Sequence, residues 1–371
     1  MAKIPIPNNP PLNFLNSPEQ TYSALIAIPS CNESENLPEV ISSLEKNDAG
    51  LLSKTLVTIN VNNRLSNDNS DNLKTLEWIK SYKGPVKLAF LNSTAEPFAY
   101  PEKFGVGLAR HQAVMSSIDY LELSSPIISL DGDSPVNEGY LKAIIDYLDC
   151  KPAFGAGHVN FKHRLEGSPE EIHAIKLYDK HLHLHRQRLE QAGSPHAWYA
   201  IGSTIVCTKE AYLKSGGYNA RRMAGEDFYL LQQLSKVGYK IEMIKEACVF
   251  PSNRQSDRVP FGTGKAVTDI LESGKWLTYN PKCYDVLKKV LETICSETDT
   301  SGKELTARLP AESRDWFLER KFPEVWDKLK ANSKNTSILL QRFHEWLDAF
   351  QTLKFIHFLS DRFYPRLKIE L

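Results

Sequence analysis

The sequence lacks several features that would assign it to a specialised class of protein. Its six cysteines include no C-x-x-C pair, which argues against a structural zinc site or a dense disulfide framework. It has no net charge, because 45 basic residues balance 45 acidic ones, so no overall field attracts nucleic acid. No apolar run approaches the roughly 18 residues of a membrane span. We therefore expect a soluble globular protein that binds no nucleic acid.

The N-terminal segment gives an expectation about cellular location. Residues 1–20, MAKIPIPNNPPLNFLNSPEQ, are rich in proline and asparagine and lack the long apolar stretch of a secretory signal. Scattered cysteines are typical of free thiols in a reducing compartment. We interpret residues 1–20 as an irregular leader and expect a cytoplasmic protein.

Apolar runs and amphipathic segments alternate along the first two thirds of the chain. SALIAIPS (23–30) and KTLVTINVNN (54–63) predict strands, whereas residues 36–47 and 70–82 have apolar side chains at helical spacing. Such alternation is typical of an α/β fold, with a mostly parallel central sheet flanked by helices. We predict this domain over residues 21–270.

Strand signals fade beyond about residue 270. Residues 337–355, SILLQRFHEWLDAFQTLKF, carry an apolar stripe at helical spacing, which predicts helical structure. We therefore expect a helical C-terminal appendage over residues 271–371.

Two carboxylates follow the predicted strand in IISLDGDSP (127–135). Asp131 and Asp133 are separated by Gly132, and side chains two apart on a strand point the same way. Ligands bind outside the carboxyl ends of strands in open α/β sheets, and paired carboxylates suit Mg²⁺ or Mn²⁺. An Asp-Gly turn with solvated charges explains the same residues. Both interpretations stay open on this segment alone.

Three other segments place polar groups near the same sheet edge. IPSCNESENL closes the first strand, GEDFYLLQQL opens a helix with two acids, and SNRQSDRVPFGTG is a loop rich in arginine and glycine. Each has a simpler explanation. The first segment could be a helix-capping loop. In the second, the acids could stabilise the helix by about 0.3–1 kcal/mol through its dipole, and the third could be an exposed connection. Their occurrence together and in this order favours a functional site.

The ordered segments resemble the family 2 glycosyltransferases, which have the GT-A fold. The residues that carry the resemblance span about 22–265 and are AIPSCNESENLPEVISSL, GVGLARHQAV, SLDGDSPVNEGYL, IGSTIVCTKEAYLKSGGYN and GEDFYLLQQLSKVGYKI. The specificity lies in the set, because each segment alone is common.

The resemblance implies a role for particular residues. Asp133, with Asp131, would hold Mn²⁺ or Mg²⁺, and Asp227, with Glu226 beside it, would be the general base. The residues implied in binding the nucleotide-diphosphate sugar are Pro29, Asn32, Glu33, Asn62, Arg110, Asp131, Arg254 and Arg258. The implied reaction moves one sugar, with inversion, to a saccharide or lipid-linked acceptor.

The sequence departs from the family pattern in three places. Asn62 and Asn63 stand where acids usually read the base, and because an amide also donates hydrogen bonds, the base preference is expected to differ from uridine. His111 stands where asparagine is frequent. QSDRV (255–259) lacks the tryptophan of processive membrane members, which predicts a non-processive enzyme.

The sequence leaves two alternatives to this function. A sugar nucleotidyltransferase should have a glycine-rich phosphate loop after its first strand, and IPSCNESEN has no glycine. A catalytically inactive nucleotide-sugar-binding protein stays open because of Asn62 and Asn63.

Two segments remain unassigned. Seven of the ten histidines lie between residues 158 and 196, and His181 and His185 are four apart, but a packing or acceptor-facing helix is favoured over a metal site there. The aromatic tail FIHFLSDRFYPRLKIEL is expected to dock on the protein, with a second subunit or a peripheral membrane contact as alternatives.

Overall fold

The computed structural model describes residues 6–221, 223–256 and 262–371. The chain forms two compact units, which comprise Met1–Ser168 with Ala200–Lys265, and Pro169–Tyr199 with Ala266–Leu371. The segment 169–199, which the sequence assigns to the first domain, thus belongs to the compact helical unit. Its apolar side chains explain this, because Ala174, Ile175 and Leu177 pack with Val267 and Ile270. As a functional domain boundary, residue 270 stays a prediction.

An eight-stranded sheet is the centre of the first unit. Its strands, in chain order, are β1 (Asn13–Phe14), β2 (Ala24–Ser30), β3 (Thr55–Asn62), β4 (Lys87–Ser93), β5 (Pro126–Ser129), β6 (Ala156–Phe161), β7 (Ile205–Thr208) and β8 (Ile241–Val249). Their order across the sheet is β1-β4-β3-β2-β5-β7-β6-β8. Strands β2 to β5 pair in parallel, as do β6 and β8, whereas β7 is antiparallel to both of its neighbours. The predicted α/β fold with a mostly parallel central sheet is confirmed.

Helices of the first unit connect these strands. They are α1 (Leu37–Glu45), α2 (Ala49–Ser53), α3 (Ser70–Ser81), α4 (Val106–Ser117), α5 (Tyr140–Cys150), α7 (Lys209–Ser215) and α8 (Glu226–Lys236), and α9 (Thr263–Ser273) begins at the end of this unit. Every residue of β2 and β3 is buried, as expected for strands covered on both faces. The predicted strands at 23–30 and 54–63 and the helices at 36–47 and 70–82 are confirmed to within two residues at each end.

The second unit is helical. It contains α6 (Pro169–Gln191), most of α9, α10 (Pro281–Ser296), α11 (Gly302–Arg308), α12 (Ala311–Glu319), α13 (Phe322–Ala331), α14 (Thr336–Trp346), α15 (Ala349–Arg362) and a two-stranded sheet of β9 (Leu277–Thr278) and β10 (Leu367–Lys368). Large aromatic side chains fill its core, among them Trp316, Phe317, Phe322, Trp326 and Phe343. The predicted helical character beyond residue 270 is confirmed.

The apolar stripe over residues 337–355 lies on two helices. Helix α14 ends at Trp346 and α15 begins at Ala349. Asp348 between them accepts a hydrogen bond from the backbone N–H of Gln351 at 2.9 Å, so it caps the second helix. The apolar stripe continues across the break because both helices contribute to one core, which is why periodicity alone does not show it.

Two smaller expectations have clear outcomes. The leader contains strand β1, which pairs antiparallel with β4 and extends the sheet. None of the six cysteines, all of which the structure describes, forms a disulfide bond. In the parts of the chain that the structure describes, no helix combines the length and the apolar character needed to cross a bilayer.

Candidate active site

Polar segments gather at one edge of the sheet, where the parallel strands β2, β3 and β5 end. The loop after β2 contains Glu33, the D-G-D segment follows β5, and Arg254 follows β8. Phe250 donates a backbone hydrogen bond to the carbonyl of Pro135 at 2.8 Å, which fixes the segment after β8 beside the one after D-G-D. Open α/β sheets bind ligands at this edge.

The D-G-D segment is a turn that follows the strand. Strand β5 ends at Ser129, and the backbone N–H of Ser134 donates to the carbonyl of Asp131 at 3.2 Å. A Cβ atom on Gly132 would lie 3.2 Å from Cγ of Glu33, so the loop after β2 approaches this backbone closely. The strand alternation invoked above therefore does not orient the two aspartates. Each of them is ion-paired with a different arginine.

Arg110 is the most buried charge of the site, with only 2% of its side chain exposed. It lies on α4, its Nη2 is 2.5 Å from Oδ1 of Asp131, and its Nε is 3.0 Å from Oε1 of Glu226. Burial lowers the pKa of Arg110, but the two carboxylates outweigh burial and raise it, so the guanidinium stays charged. Its Nη1 is buried and has no hydrogen-bond partner among the described residues.

Two residues that sequence reasoning missed hold Arg110 in place. Its guanidinium lies 5.9 Å from the ring centre of Tyr218, and the Tyr218 hydroxyl is hydrogen-bonded to Ser129. A Cβ atom on Gly202 would lie 2.1 Å from Nη2 of Arg110, so only glycine leaves room for the guanidinium. Both residues lie in the IGSTIVCTKEAYLKSGGYN segment. No pattern in that segment indicates that they contact an arginine about 100 residues away.

Arg254 pairs with two acids at once. Its Nη2 lies 2.9 Å from Oδ2 of Asp133 and also contacts the carboxylate of Glu33. Glu33 is buried and accepts a second hydrogen bond, from Nδ2 of Asn36 at 2.8 Å. This arginine therefore links the loop after β2 to the D-G-D turn.

Glu226 and Asp227 are the first two residues of α8. Gly225 precedes them with φ of 71°, a left-handed conformation that favours glycine. Burial, followed by the adjacent charge of Glu226, raises the pKa of Asp227 to about 7. The Asp227 side chain is partly accessible to water, and its Oδ1 accepts a hydrogen bond from the Phe228 N–H at 2.7 Å. A carboxyl group with this pKa can accept a proton near neutral pH.

Carboxylates outnumber cations in these contacts. Among the described residues, the four acids Glu33, Asp131, Asp133 and Glu226 form ion pairs with the two guanidinium groups of Arg110 and Arg254, and Asp227 lies beside Glu226. The excess of carboxylates over cations in these contacts favours a divalent cation with oxygen ligands.

The carboxylates of Asp131 and Asp133 fit such a cation only with further ligands. In the part of the chain that the structure describes, no three His, Cys, Asp or Glu side chains are placed to hold a metal ion. Mg²⁺ in proteins is commonly held by one or two carboxylates together with substrate phosphates. The donor set therefore suits a cation that is bound together with a phosphorylated ligand.

The asparagines at the end of β3 have their side-chain oxygens, rather than their NH2 groups, available to a ligand. Nδ2 of Asn62 donates to the carbonyl oxygens of Ser30 at 2.9 Å and Asn60 at 3.1 Å. Nδ2 of Asn63 donates to the carbonyls of Asn67 and Asp68. Both amide NH2 groups are thus occupied. The side-chain oxygens of Asn62 and Asn63 have no hydrogen-bond partner among the described residues, so they can accept hydrogen bonds from a ligand.

The other predicted donor-binding residues lie at the same edge, with one exception. Pro29 in β2 is paired with Asn60 in β3. Asn32, at φ of 57°, donates its backbone N–H to Asn72 at 2.8 Å, and Nδ2 of Asn72 donates back to it at 3.1 Å. This reciprocal pair holds the loop after β2 in place. Arg258 lies outside the described residues.

Comparison with known proteins gives similarity in structure only. No protein-family model and no curated protein sequence matches this chain. The chain is similar to the structure of S. aureus TarS residues 1–349 in complex with UDP-GlcNAc, at 13% identity, 91% coverage of both chains and a TM-score of 0.44. The complex of the same protein with UDP gives 13% identity, 91% and 90% coverage, and 0.42. A longer TarS structure gives 12% identity, 91% and 55% coverage, and 0.42. Identity this low transfers no residue role to this chain.

Proposed function

We propose that this protein is a metal-dependent, inverting glycosyltransferase that moves one sugar from a nucleotide-diphosphate sugar to an acceptor hydroxyl. The observation that carries the proposal is the placement of Asp227, with its pKa near 7, beside the buried Glu226–Arg110–Asp131 ion pairs at the ligand-binding edge of the sheet. Buried carboxyl groups with perturbed pKa values are concentrated at catalytic sites.

Asp227 is the general base of this proposal. An acceptor hydroxyl is a poor nucleophile until a positioned carboxylate takes its proton during attack. Asp227 is partly open to water and its carboxyl group is not part of the Arg110 ion pairs, so it can both meet an acceptor and change its protonation state. Glu226 instead stays paired with Arg110 and orients the start of the helix.

The donor diphosphate is assigned to the Arg110 and Arg254 side of the site. Nη1 of Arg110 is an unpartnered buried donor, which an oxygen of the ligand would satisfy. Asp133 and Asp131 would hold Mn²⁺ or Mg²⁺ together with the diphosphate. When bound, such a cation neutralises the charge that develops on the leaving diphosphate.

The base of the nucleotide is assigned to Asn62. The side-chain NH2 group of Asn62 donates to two backbone carbonyls, so only its side-chain oxygen is left for the base, as a hydrogen-bond acceptor. This favours a base that carries a ring N–H. Uracil, thymine and guanine have such a group, whereas cytosine has an acceptor nitrogen at the equivalent position. Asn62 therefore favours these three bases, and since uracil is among them, uridine stays a candidate in spite of the expectation from the sequence. The acceptor is proposed to be a saccharide or a lipid-linked saccharide.

Thermal unfolding with nucleotides tests the donor site. The protein is heated with UDP, GDP, CDP and dTDP and their sugars, UDP-GlcNAc among them, each with and without Mn²⁺. A ligand at about 100 times its dissociation constant adds about 2.7 kcal/mol of stability. We expect a metal-dependent shift that Asp133→Ala removes and that Asp146→Ala, an exposed aspartate on α5, retains. The absence of a shift with every nucleotide would contradict the proposal.

Turnover separates an enzyme from a binding protein. Release of nucleoside diphosphate is followed with the donor found above and mixed saccharide acceptors. The proposal expects Asp227→Asn to bind the donor normally but to release no diphosphate. If the wild type binds the donor but neither transfers its sugar to any acceptor nor hydrolyses it, the protein is better described as an inactive nucleotide-sugar-binding protein.

A further inference from the structure

The helical unit contains a compact group of aromatic, imidazole and guanidinium side chains around Tyr279. This group, the Tyr279 cluster, consists of His181, His185, Arg188, Tyr279, His357 and Arg366. The ring centre of Tyr279 lies 5.8 Å from that of His181, 5.6 Å from that of His185 and 5.3 Å from that of His357. The cluster has no role in the function proposed above.

Hydrogen bonds fix which ring nitrogen carries the proton in His181 and in His185. The hydroxyl of Tyr284 lies 2.6 Å from Nδ1 of His185 and has no other acceptor among the described residues. A buried phenol must donate, so Nδ1 of His185 accepts and the proton is on Nε2. The buried hydroxyl of Thr278 lies 3.2 Å from Nδ1 of His181 and, by the same reasoning, places that proton on Nε2 as well.

The Nε2–H groups of both rings are therefore hydrogen-bond donors. His181 and His185 are one helical turn apart on α6, and their rings stack at 6.4 Å and 11°. Both side chains are partly accessible, and neither Nε2 has a partner in the described parts of the chain. Burial, with the charges of Arg366 and Arg188, lowers the pKa of His181 to about 4. Burial, with the neighbouring imidazoles of His181 and His357, lowers the pKa of His185 to about 3. At neutral pH both rings are uncharged donors.

Two arginines add positive charge to the same cluster. Nη1 of Arg188 donates to the carbonyl of Tyr279 at 2.7 Å, and the guanidinium of Arg366 lies 4.8 Å from the Tyr279 ring centre. Neither arginine forms an ion pair with an Asp or Glu that the structure describes. Asp361 acts on His357 and Tyr279 with the opposite sign to Arg366. The two imidazoles and two arginines named above thus offer donors rather than acceptors.

We propose that the Tyr279 cluster binds a phosphoryl group, with Nε2–H of His181 and His185 and the guanidinium groups of Arg188 and Arg366 as donors. A phosphoryl group has three oxygens that accept hydrogen bonds, whereas a carboxylate has two, so the larger oxyanion matches the donors better. The ligand class is a phosphorylated small molecule such as a sugar phosphate. The inference does not depend on the proposed function.

Binding to the full-length protein tests the site. Inorganic phosphate, glucose 1-phosphate and acetate are titrated at matched ionic strength and followed by calorimetry. We expect saturable binding of the two phosphates, and an apparent dissociation constant about tenfold higher in Arg366→Gln, for the loss of one charged contact. Arg362→Gln removes the same charge from an exposed position on α15 and should leave binding unchanged. Equal binding in both variants, or equal binding of acetate, would overturn the proposal.

The imidazole protons give an independent readout. In protein labelled with ¹⁵N-histidine, NMR should show His185 protonated on Nε2, and phosphate should shift the Nε2 signals of His181 and His185. Tyr284→Phe removes the hydroxyl that fixes the tautomer, so a signal from an Nδ1-protonated His185 should appear and phosphate affinity should fall. A wild-type His185 protonated on Nδ1 would refute the assignment, and so would Nε2 signals that phosphate does not move, whether or not the variant folds.

Discussion

Replacing Asp227 with asparagine should stabilise the protein at alkaline pH while abolishing sugar transfer. Asparagine has nearly the same shape and keeps an oxygen that can accept the Phe228 N–H bond at 2.7 Å. What it loses is the ability to ionise in a buried site next to Glu226. The substitution therefore isolates the cost of burying that charge from the packing of the side chain.

The sign and size of the effect follow from the pKa of Asp227. It is about 7 in the folded protein and about 3.9 in an unfolded chain, so between these values the folded state binds more protons. Wild-type stability should fall as the pH rises from about 4 to 7 and stay low above it. Three pKa units correspond to about 4 kcal/mol, an upper limit because bound water and local relaxation stabilise the ionised form. The free energy of unfolding of Asp227→Asn should not fall in this way as the pH rises.

Urea unfolding at pH 5 and pH 8, without divalent cations, measures the effect. The difference in unfolding free energy between Asp227→Asn and wild type should be larger at pH 8 than at pH 5 by up to about 2.6 kcal/mol, because part of the full effect already falls between pH 4 and pH 5. Asp146→Asn is the control, because Asp146 is an exposed aspartate on α5 that pairs with Lys142. In the wild type, kcat/KM should rise with pH through a pKa near 7. If the difference between variant and wild type is the same at both pH values, the buried-charge argument fails.

Three further substitutions test the contacts around the site. Arg110→Gln should destabilise the protein by about 3–5 kcal/mol in urea unfolding, because Asp131 and Glu226 lose their buried partner; a loss below 1 kcal/mol would contradict the ion-pair assignment. Gly202→Ala should cost about 1–3 kcal/mol by crowding the guanidinium, and an unchanged melting temperature would show that the side chain has room to move. Asn62→Asp should lower stability by about 1–3 kcal/mol, since a carboxylate would face two backbone carbonyls, whereas a stable variant would show that the amide orientation is not fixed.

The strands and helices of the first unit were predictable because each leaves a local signal. The buried strands β2 and β3 are continuous apolar or β-branched runs, and the helices between them have one apolar face. The position of the site was predictable for a related reason. Parallel strands bring their carboxyl ends to one edge, so polar residues that follow different strands must lie near one another.

The ion pairs were not predictable, because they join residues that are far apart in sequence. Arg110 and Glu226 are separated by 116 positions, and Arg254 and Glu33 by 221. No spacing rule relates such residues, and a buried arginine in an ordinary amphipathic helix looks like a solvated one. The turn geometry of D-G-D escaped prediction as well, since an apolar run does not show at which residue a strand ends.

The two arginines divide the five acids of the site into groups with different chemistry. Arg110 satisfies Asp131 and Glu226, and Arg254 satisfies Glu33 and Asp133, so four of the carboxylates have a cation in direct contact. Asp227 is the one that does not, and it lies next to Glu226. Burial is the largest cause of its raised pKa, the neighbouring Glu226 adds to it, and the charge of Arg110 opposes it. A base with a pKa near 7 thus follows from the burial of Asp227 and its place beside a second carboxylate.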